Sequence, residues 1–140
     1  MPTLFDSLEK STKSYRQLTQ ANIAAAGIAI TLDQWQILKT LQDNPDITHQ
    51  EIADRVFKDL ASITRIIDRL VRKGAVQRTP HSEDRRRSAL TLTRTGCQSI
   101  RAVEPIVRAS RRQALRGITP AAISRAHAML ARVVVNCETG

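Results

Sequence analysis

The chain has 140 residues, enough for one domain with its own hydrophobic core. It lacks the ~20-residue apolar run of a membrane helix, a secretory signal pattern and cysteines at metal-binding spacing, so we expect a cytoplasmic protein without a metal or cofactor. Of the net charge of +9, residues 51–140 contribute +10 and residues 1–50 contribute −1, which predicts a polyanionic partner.

The first 46 residues predict two helices. Apolar residues at helical spacing between positions 4 and 18 indicate a long first helix, which should end near Gly27. Thr31 and Gln34 form a capping box, in which two side chains satisfy free amides at a helix start. They predict a second helix, which Pro45 ends.

Two shorter helices follow. Thr48 and Glu51 form another capping box and predict the start of the third helix. Asp59 is the N-cap candidate of the fourth helix, and Gly74 is placed to end it.

A basic hairpin comes next along the chain. Residues 75–79 and 88–93 predict two strands, joined by a turn that contains proline, serine and aspartate. The order of helix, helix and basic hairpin is that of a winged helix-turn-helix. This order predicts a protein that binds duplex DNA.

The C-terminal part predicts two further helices. Thr93 caps the first, Pro105 should kink it, and Gly117 ends it. Thr119 followed by Pro120 begins the last helix, which has a clear apolar stripe. An amphipathic helix must bury its stripe, either on the body of the same subunit or on a second copy of the chain.

Two segments resemble the MarR family of bacterial transcriptional regulators. They are TRIIDRLVRKG at 64–74 and SEDRRRSALTLT at 82–93, followed by Gly96. Within the second segment, four residues match the family's wing pattern: Asp84, Arg86, Leu92 and Thr93. The likeness is close from about residue 30 to residue 119.

This resemblance implies a fold and a mode of action. The fold would be mainly α with a small β-wing, as one winged helix-turn-helix domain over 1–140. Helices in 1–30 and 94–140 would form a homodimer around a DNA-binding lobe at 31–93. The function implied is that of a ligand-responsive repressor, which binds a pseudo-palindromic operator and responds to a small aromatic or phenolic effector.

The fourth helix is the predicted recognition helix. Its apolar positions follow helical spacing and should be buried. They are Leu60, Ile63, Ile66, Ile67 and Leu70. The N-terminal outer residues should face base edges in the major groove. They are Ser62, Thr64 and Arg65, and Ala61 lies on the same outer side as a further DNA-binding residue. The positive residues further along should contact phosphates, although a solvated helix face remains the alternative for any one of them. They are Arg69, Arg72 and Lys73.

The wing supplies a second predicted contact. The resemblance places Arg86 in the minor groove and makes Asp84 the carboxylate that braces it. Strand alternation places Arg85 and Arg87 on the other face of the hairpin.

Two further contacts are expected at the start of the third helix. Thr48 and Gln50 could donate to phosphate there. A cap alone is the other interpretation of Thr48.

The remaining motifs carry no chemistry of catalysis. The glycines form no phosphate-binding loop, and the three histidines are scattered, so we expect that the chain is not an enzyme. Tyr15 and Trp35 lie on the helices that would line an effector cleft, although Trp35 also fits a core position. The alternative functions are a non-specific or architectural nucleic-acid binder and a protein–protein interaction module.

Overall fold

The computed structural model describes residues 1–80 and 88–140. These residues form six helices and one two-stranded sheet, as expected for a mainly α fold with a small β-wing. The elements in chain order are α1 (Leu4–Ala25), α2 (Leu32–Asp43), α3 (His49–Val56), α4 (Leu60–Arg72), β1 (Val76–Pro80), β2 (Ser88–Leu92), α5 (Arg94–Ala114) and α6 (Pro120–Thr139).

The predicted helix starts are confirmed. Thr31 and Thr48 each accept a hydrogen bond from the backbone N–H three residues on, and each completes its capping box. Asp59 caps α4, Thr93 caps α5 and Thr119 caps α6 in the same manner. Each cap satisfies an amide that has no partner within its own helix. A further capping box, at the start of α1, was not predicted.

The hydrophobic core lies where α2, α3, α4 and α5 meet, and α1 packs along α5. Ile63, Ile67 and Leu70 of α4 are fully buried in this core, as predicted. The prediction that Leu60 is buried was wrong, since its side chain is 44% exposed. Leu60 is the first residue of α4, and the apolar spacing that identified it continues one turn beyond the edge of the core.

The two strands pair antiparallel, with Val76 opposite Leu92. The wing is therefore joined to α4 through Gly74, whose φ of +74° ends the helix. It is joined to α5 through Thr93, whose N–H donates to the carbonyl of Ala75 at 3.1 Å. Gly96 of α5 packs against the same carbonyl so closely that a Cβ there would overlap it.

The last helix differs from the others, because none of its residues is buried. Met129, Val134 and Val135 of α6 remain largely exposed, as do Leu4 and Phe5 at the start of α1. In α5, Pro105 lies inside the helix, as predicted, on an exposed position. Across residues 1–80 and 88–140, no helix has the length and apolar character needed to span a bilayer.

Candidate nucleic-acid interface

Helix α4 is held against the core by one side and exposes the other. Its buried residues repeat at helical spacing, so the rest of its surface is left for other contacts. Four residues of this surface are exposed. They are Ala61, Arg65, Arg69 and Arg72. The predicted outer face of α4 is therefore accessible, while the role of each residue on it stays a prediction.

The first turn of α4 holds a chain of three polar side chains. Asp59 accepts the N–H of Ser62 at 2.7 Å and its hydroxyl at 2.8 Å. Arg65 in turn donates to the Ser62 hydroxyl at 3.2 Å. The backbone bond from Ser62, followed by the hydroxyl bond, holds the pKa of Asp59 below its ordinary value. A fixed carboxylate thus orients Ser62, and Ser62 positions the Arg65 guanidinium beside the helix N-terminus.

Two other predicted residues of this surface are used within the fold. The Thr64 hydroxyl donates to the carbonyl of Leu60 at 3.0 Å, inside its own helix. Lys73 donates to the carbonyl of Ala29 and to the side-chain oxygen of Gln34, each at 2.9 Å. These bonds join the end of α4 to the start of α2. They favour a structural role for Lys73 over its predicted phosphate contact.

The wing root is tied to α4 by an ion pair that sequence reasoning missed. Arg78 of β1 lies 2.5 Å from the carboxylate of Asp68. No spacing rule within one element predicts this pair, because its partners lie on a helix and a strand. It joins the recognition helix to the first strand of the wing.

His49 packs beside this ion pair. Burial is the main cause that lowers its pKa, and the positive charge of Arg78 adds to that effect while Asp68 opposes it. Its Nε2 is buried and has no hydrogen-bond partner among the residues that the structure describes.

At the start of α3, Thr48 serves as the helix cap and Gln50 donates to Asp54 at 3.0 Å. Four of the predicted wing contacts lie outside the described residues. They are Asp84, Arg85, Arg86 and Arg87.

Phe57 is a feature that the sequence did not single out. It ends α3 with φ 59° and ψ 46°, a left-handed conformation that is rare for a bulky side chain. Its side chain is 93% exposed, two residues before the cap of α4. Only its position between two capping motifs could have indicated a turn there.

A groove runs between α1 and the start of α2. It has a volume of about 940 Å³. Leu8, Ala24 and Leu32 supply apolar walls, and the charged residues of the lining are two basic and two acidic ones, Lys13, Arg16, Glu9 and Asp33. Neither predicted effector residue lines this groove. Trp35 is a core residue with 6% exposure, and the hydroxyl of half-buried Tyr15 accepts a hydrogen bond from Arg111 at 3.4 Å.

Asp33 lies at the end of the groove and contacts two cations. Its carboxylate is paired with Arg16 of α1 on one side. On the other side it lies 3.4 Å from the ammonium of Lys58, in the turn that leads into α4. One carboxylate therefore links the groove to the segment before the recognition helix.

Together, the helix order, the paired wing strands and the exposed face of α4 define a winged helix-turn-helix protein. The sequence model of the MarR family matches residues 30–88. The transcriptional repressor IacR of Pseudomonas putida is 30% identical over 112 residues, which are 80% of this chain and 67% of the repressor. The chain belongs to the MarR family of transcriptional regulators. Other curated relatives, including the multiple antibiotic resistance protein MarR of Escherichia coli, are matched over about half of their length.

Solved structures show the same fold. A mutant MarR from Escherichia coli complexed with operator DNA is 23% identical, with a TM-score of 0.82 over 94% of this chain and 99% of that one. A structure of Bordetella bronchiseptica BpsR, from work on how 6-hydroxynicotinic acid regulates its DNA binding, is 19% identical. Its TM-score is 0.85, over 94% of this chain and 93% of that one. The relatives are regulators and not enzymes, in agreement with the prediction from the sequence.

Proposed function

We propose that the chain is a sequence-specific DNA-binding regulator, a repressor that acts as a homodimer on a pseudo-palindromic operator in the cytoplasm. The observation that carries this proposal is the first turn of α4. There Asp59 fixes Ser62, and Ser62 fixes Arg65, on an exposed surface beside a helix N-terminus. Non-specific phosphate binding needs no such ordered polar surface, whereas base recognition does.

The proposed DNA contact of each residue on α4 follows from its distance from the N-terminus of that helix. Arg65, with Ala61 and Ser62 beside it, would read base edges in the major groove, since it lies in the first turns of the helix. Arg69 and Arg72 lie further along and would contact phosphates or solvent. The wing would place Arg86 in the minor groove, as the family resemblance implies.

Homodimer formation is supported by the apolar surface that one chain leaves uncovered. Helix α6 buries none of its residues, and Val134 on its apolar stripe is 52% exposed. The start of α1 exposes Leu4 and Phe5 as well. A second copy would bury both surfaces and would hold two recognition helices about one DNA turn, ~34 Å, apart.

Ligand response is supported by the groove between α1 and α2. Its apolar walls suit a small aromatic ring, and an acidic group on that ring would compete with Glu9 and Asp33, which line the same groove, for Lys13 and Arg16. BpsR is described as regulated by such a compound, 6-hydroxynicotinic acid. An anion bound at Arg16 would compete with Asp33, and Asp33 also holds Lys58 before α4. This contact gives a route from the groove to the recognition helix.

Base reading is tested by comparing Arg65→Ala with Arg72→Ala on a panel of single-base operator variants. Both substitutions remove one arginine from the exposed face of α4. Arg65→Ala should relax the preference at one base pair of each half-site by about 1–3 kcal/mol. Arg72→Ala should weaken all sequences alike, if it weakens any. Equal weakening across the panel by Arg65→Ala would instead make Arg65 a backbone contact.

The dimer is tested by Val134→Asp, with Asn136→Asp as the control at a nearby exposed position of α6. Val134→Asp should shift the chain toward monomer in sedimentation velocity, because a carboxylate would be buried in an apolar interface. Asn136→Asp should sediment like the wild type. A folded wild-type monomer at micromolar concentration would contradict the dimer.

A further inference from the structure

Most of the net positive charge lies outside the helix-turn-helix. Residues 94–140 carry 8 basic and 2 acidic side chains, a net of +6. Residues 31–93, the proposed DNA-binding lobe, carry 11 basic and 9 acidic side chains, a net of +2. The proposed dimer contacts do not account for this excess, because they are made by apolar residues.

Four arginines of α5 form a single row along the helix, which we call the arginine stripe. They are Arg94, Arg101, Arg108 and Arg112. With 3.6 residues per turn, Arg112 returns to the direction of Arg94 after five turns, about 27 Å along the axis. All four side chains are exposed. The buried residues of α5 lie on the opposite side of the helix. They are Gly96, Ile100, Val103, Val107 and Ser110.

The arginine stripe has no counter-charge among residues 1–80 and 88–140. Within that part of the chain, none of its four side chains takes part in a salt bridge. Glu104 is the acidic residue of α5, and it lies 3.9 Å from Lys39 of α2. Four positive charges in one row, without a negative partner, create a positive potential along this side of α5 that attracts polyanions.

We propose that the arginine stripe is a second DNA-binding surface, which contacts the phosphate backbone of a duplex outside the reach of the recognition helix. The forked guanidinium group fits phosphate oxygens, and such contacts carry no sequence information. Duplex DNA presents a negative charge about every 1.7 Å of its axis, so a row of about 27 Å meets enough phosphates for each arginine.

A duplex fits the surface better than an acidic protein does. Between the arginines, the same side of α5 carries Gln98 and Pro105, and no large apolar residue. Protein interfaces usually have an apolar centre inside a polar rim, and the stripe lacks that centre. The inference rests on the proposed function only in that the chain meets DNA, since it makes no use of α4.

The test compares two double variants that remove the same charge. R101Q/R108Q removes two arginines of the stripe. R125Q/R132Q removes two exposed arginines of α6 with the same seven-residue spacing, and serves as the control. Binding of the full chain to a 30-bp duplex of random sequence is measured by fluorescence anisotropy over a series of salt concentrations.

R101Q/R108Q should lower the slope of log K against log salt by up to about two, because each phosphate contact contributes about 0.9. Its affinity for the random duplex should fall several-fold, while R125Q/R132Q stays near the wild type. Equal effects of the two variants, or an unchanged slope, would overturn the proposal. Loss of poly-glutamate binding with duplex binding intact would overturn it too, in favour of an acidic protein.

A selected operator separates this inference from the proposed function. If the wild type prefers no sequence over random DNA, the proposed function fails. The salt slopes of R101Q/R108Q and its control still test the second DNA-binding surface in that case. If sequence preference is present and R101Q/R108Q behaves like its control, only the second surface is rejected.

Discussion

The carboxylate of Asp33 and the ammonium of Lys58 lie 3.4 Å apart, which joins the start of α2 to the turn before the recognition helix. Asp33 is also paired with Arg16 of α1, on the wall of the groove. All three side chains are partly exposed, so each pair adds little to stability by itself. The two pairs matter for where they lie, because through Asp33 they connect α1, the start of α2 and the turn before α4.

A double-mutant cycle of Asp33→Asn and Lys58→Gln measures this connection. We expect a coupling free energy of about 0.2–1 kcal/mol in urea unfolding at low salt, because the pair is close but solvent-accessible. The coupling should vanish near 1 M salt, where the Debye length is about 3 Å. The same cycle with Asp46→Asn, at an exposed residue without a salt bridge in the described chain, should give no coupling. Coupling that survives high salt would indicate packing and not charge.

The wing arginines provide a second prediction. Arg86→Ala should weaken operator binding by about 1–3 kcal/mol if its side chain enters the minor groove. Asp84→Ala should give a smaller loss, because it only removes the brace. Arg85→Ala is the matched control in an electrophoretic mobility assay. If Arg85→Ala weakens binding and Arg86→Ala does not, the assumed register of the hairpin is wrong.

His49 predicts a pH dependence of stability. Its pKa in the folded chain is lowered from 6.5, mainly by burial, so the unfolded chain takes up the proton first as the pH falls. The free energy of unfolding should therefore decrease as the pH falls through 6.5, and should stop changing from this cause below the folded pKa. His49→Gln should remove that part of the pH dependence in urea titrations.

His127→Gln, at an exposed histidine of α6, controls for the general loss of a histidine. A wild-type profile that is flat between pH 7 and pH 5, or one that His49→Gln leaves unchanged, would refute the prediction.

Gly96 allows a prediction in which two effects have opposite signs. Replacing a helical glycine by alanine normally stabilises a helix by about 1 kcal/mol. Here the added Cβ would overlap the carbonyl oxygen of Ala75, so Gly96→Ala should destabilise the chain by about 1–3 kcal/mol. Thermal unfolding decides between the two signs. A raised melting temperature would mean that the wing root moves aside freely.

The sequence predicted the elements of this fold well, because their signals are local. Five of the six N-caps were identified in advance as threonine or aspartate, and Gly74 marks the end of α4. Each signal needs only four or five neighbouring residues. The buried face of α4 was also predicted, apart from Leu60, whose spacing is correct but whose position lies past the edge of the core.

The contacts between elements were not predicted. Asp68 and Arg78 are ten residues apart and meet only because β1 returns beside α4. Lys73 and Gln34 are 39 residues apart, and a lysine near a recognition helix looks the same in sequence whether it binds phosphate or a carbonyl. Such pairs depend on the relative placement of packed elements, which hydrophobic periodicity does not specify.

One residue, Thr93, both ends the wing and begins α5. Its N–H bonds to the carbonyl of Ala75 and its hydroxyl to that of Gly74, directly after the recognition helix. No freely jointed residue therefore separates the reading surface from the long helix that leads away from it. In the proposed dimer, the distance between the two reading surfaces is therefore fixed by the way the terminal helices pair, because no joint between them can adjust it. A substitution that changes the pairing of the terminal helices would then change the half-site spacing that the protein accepts.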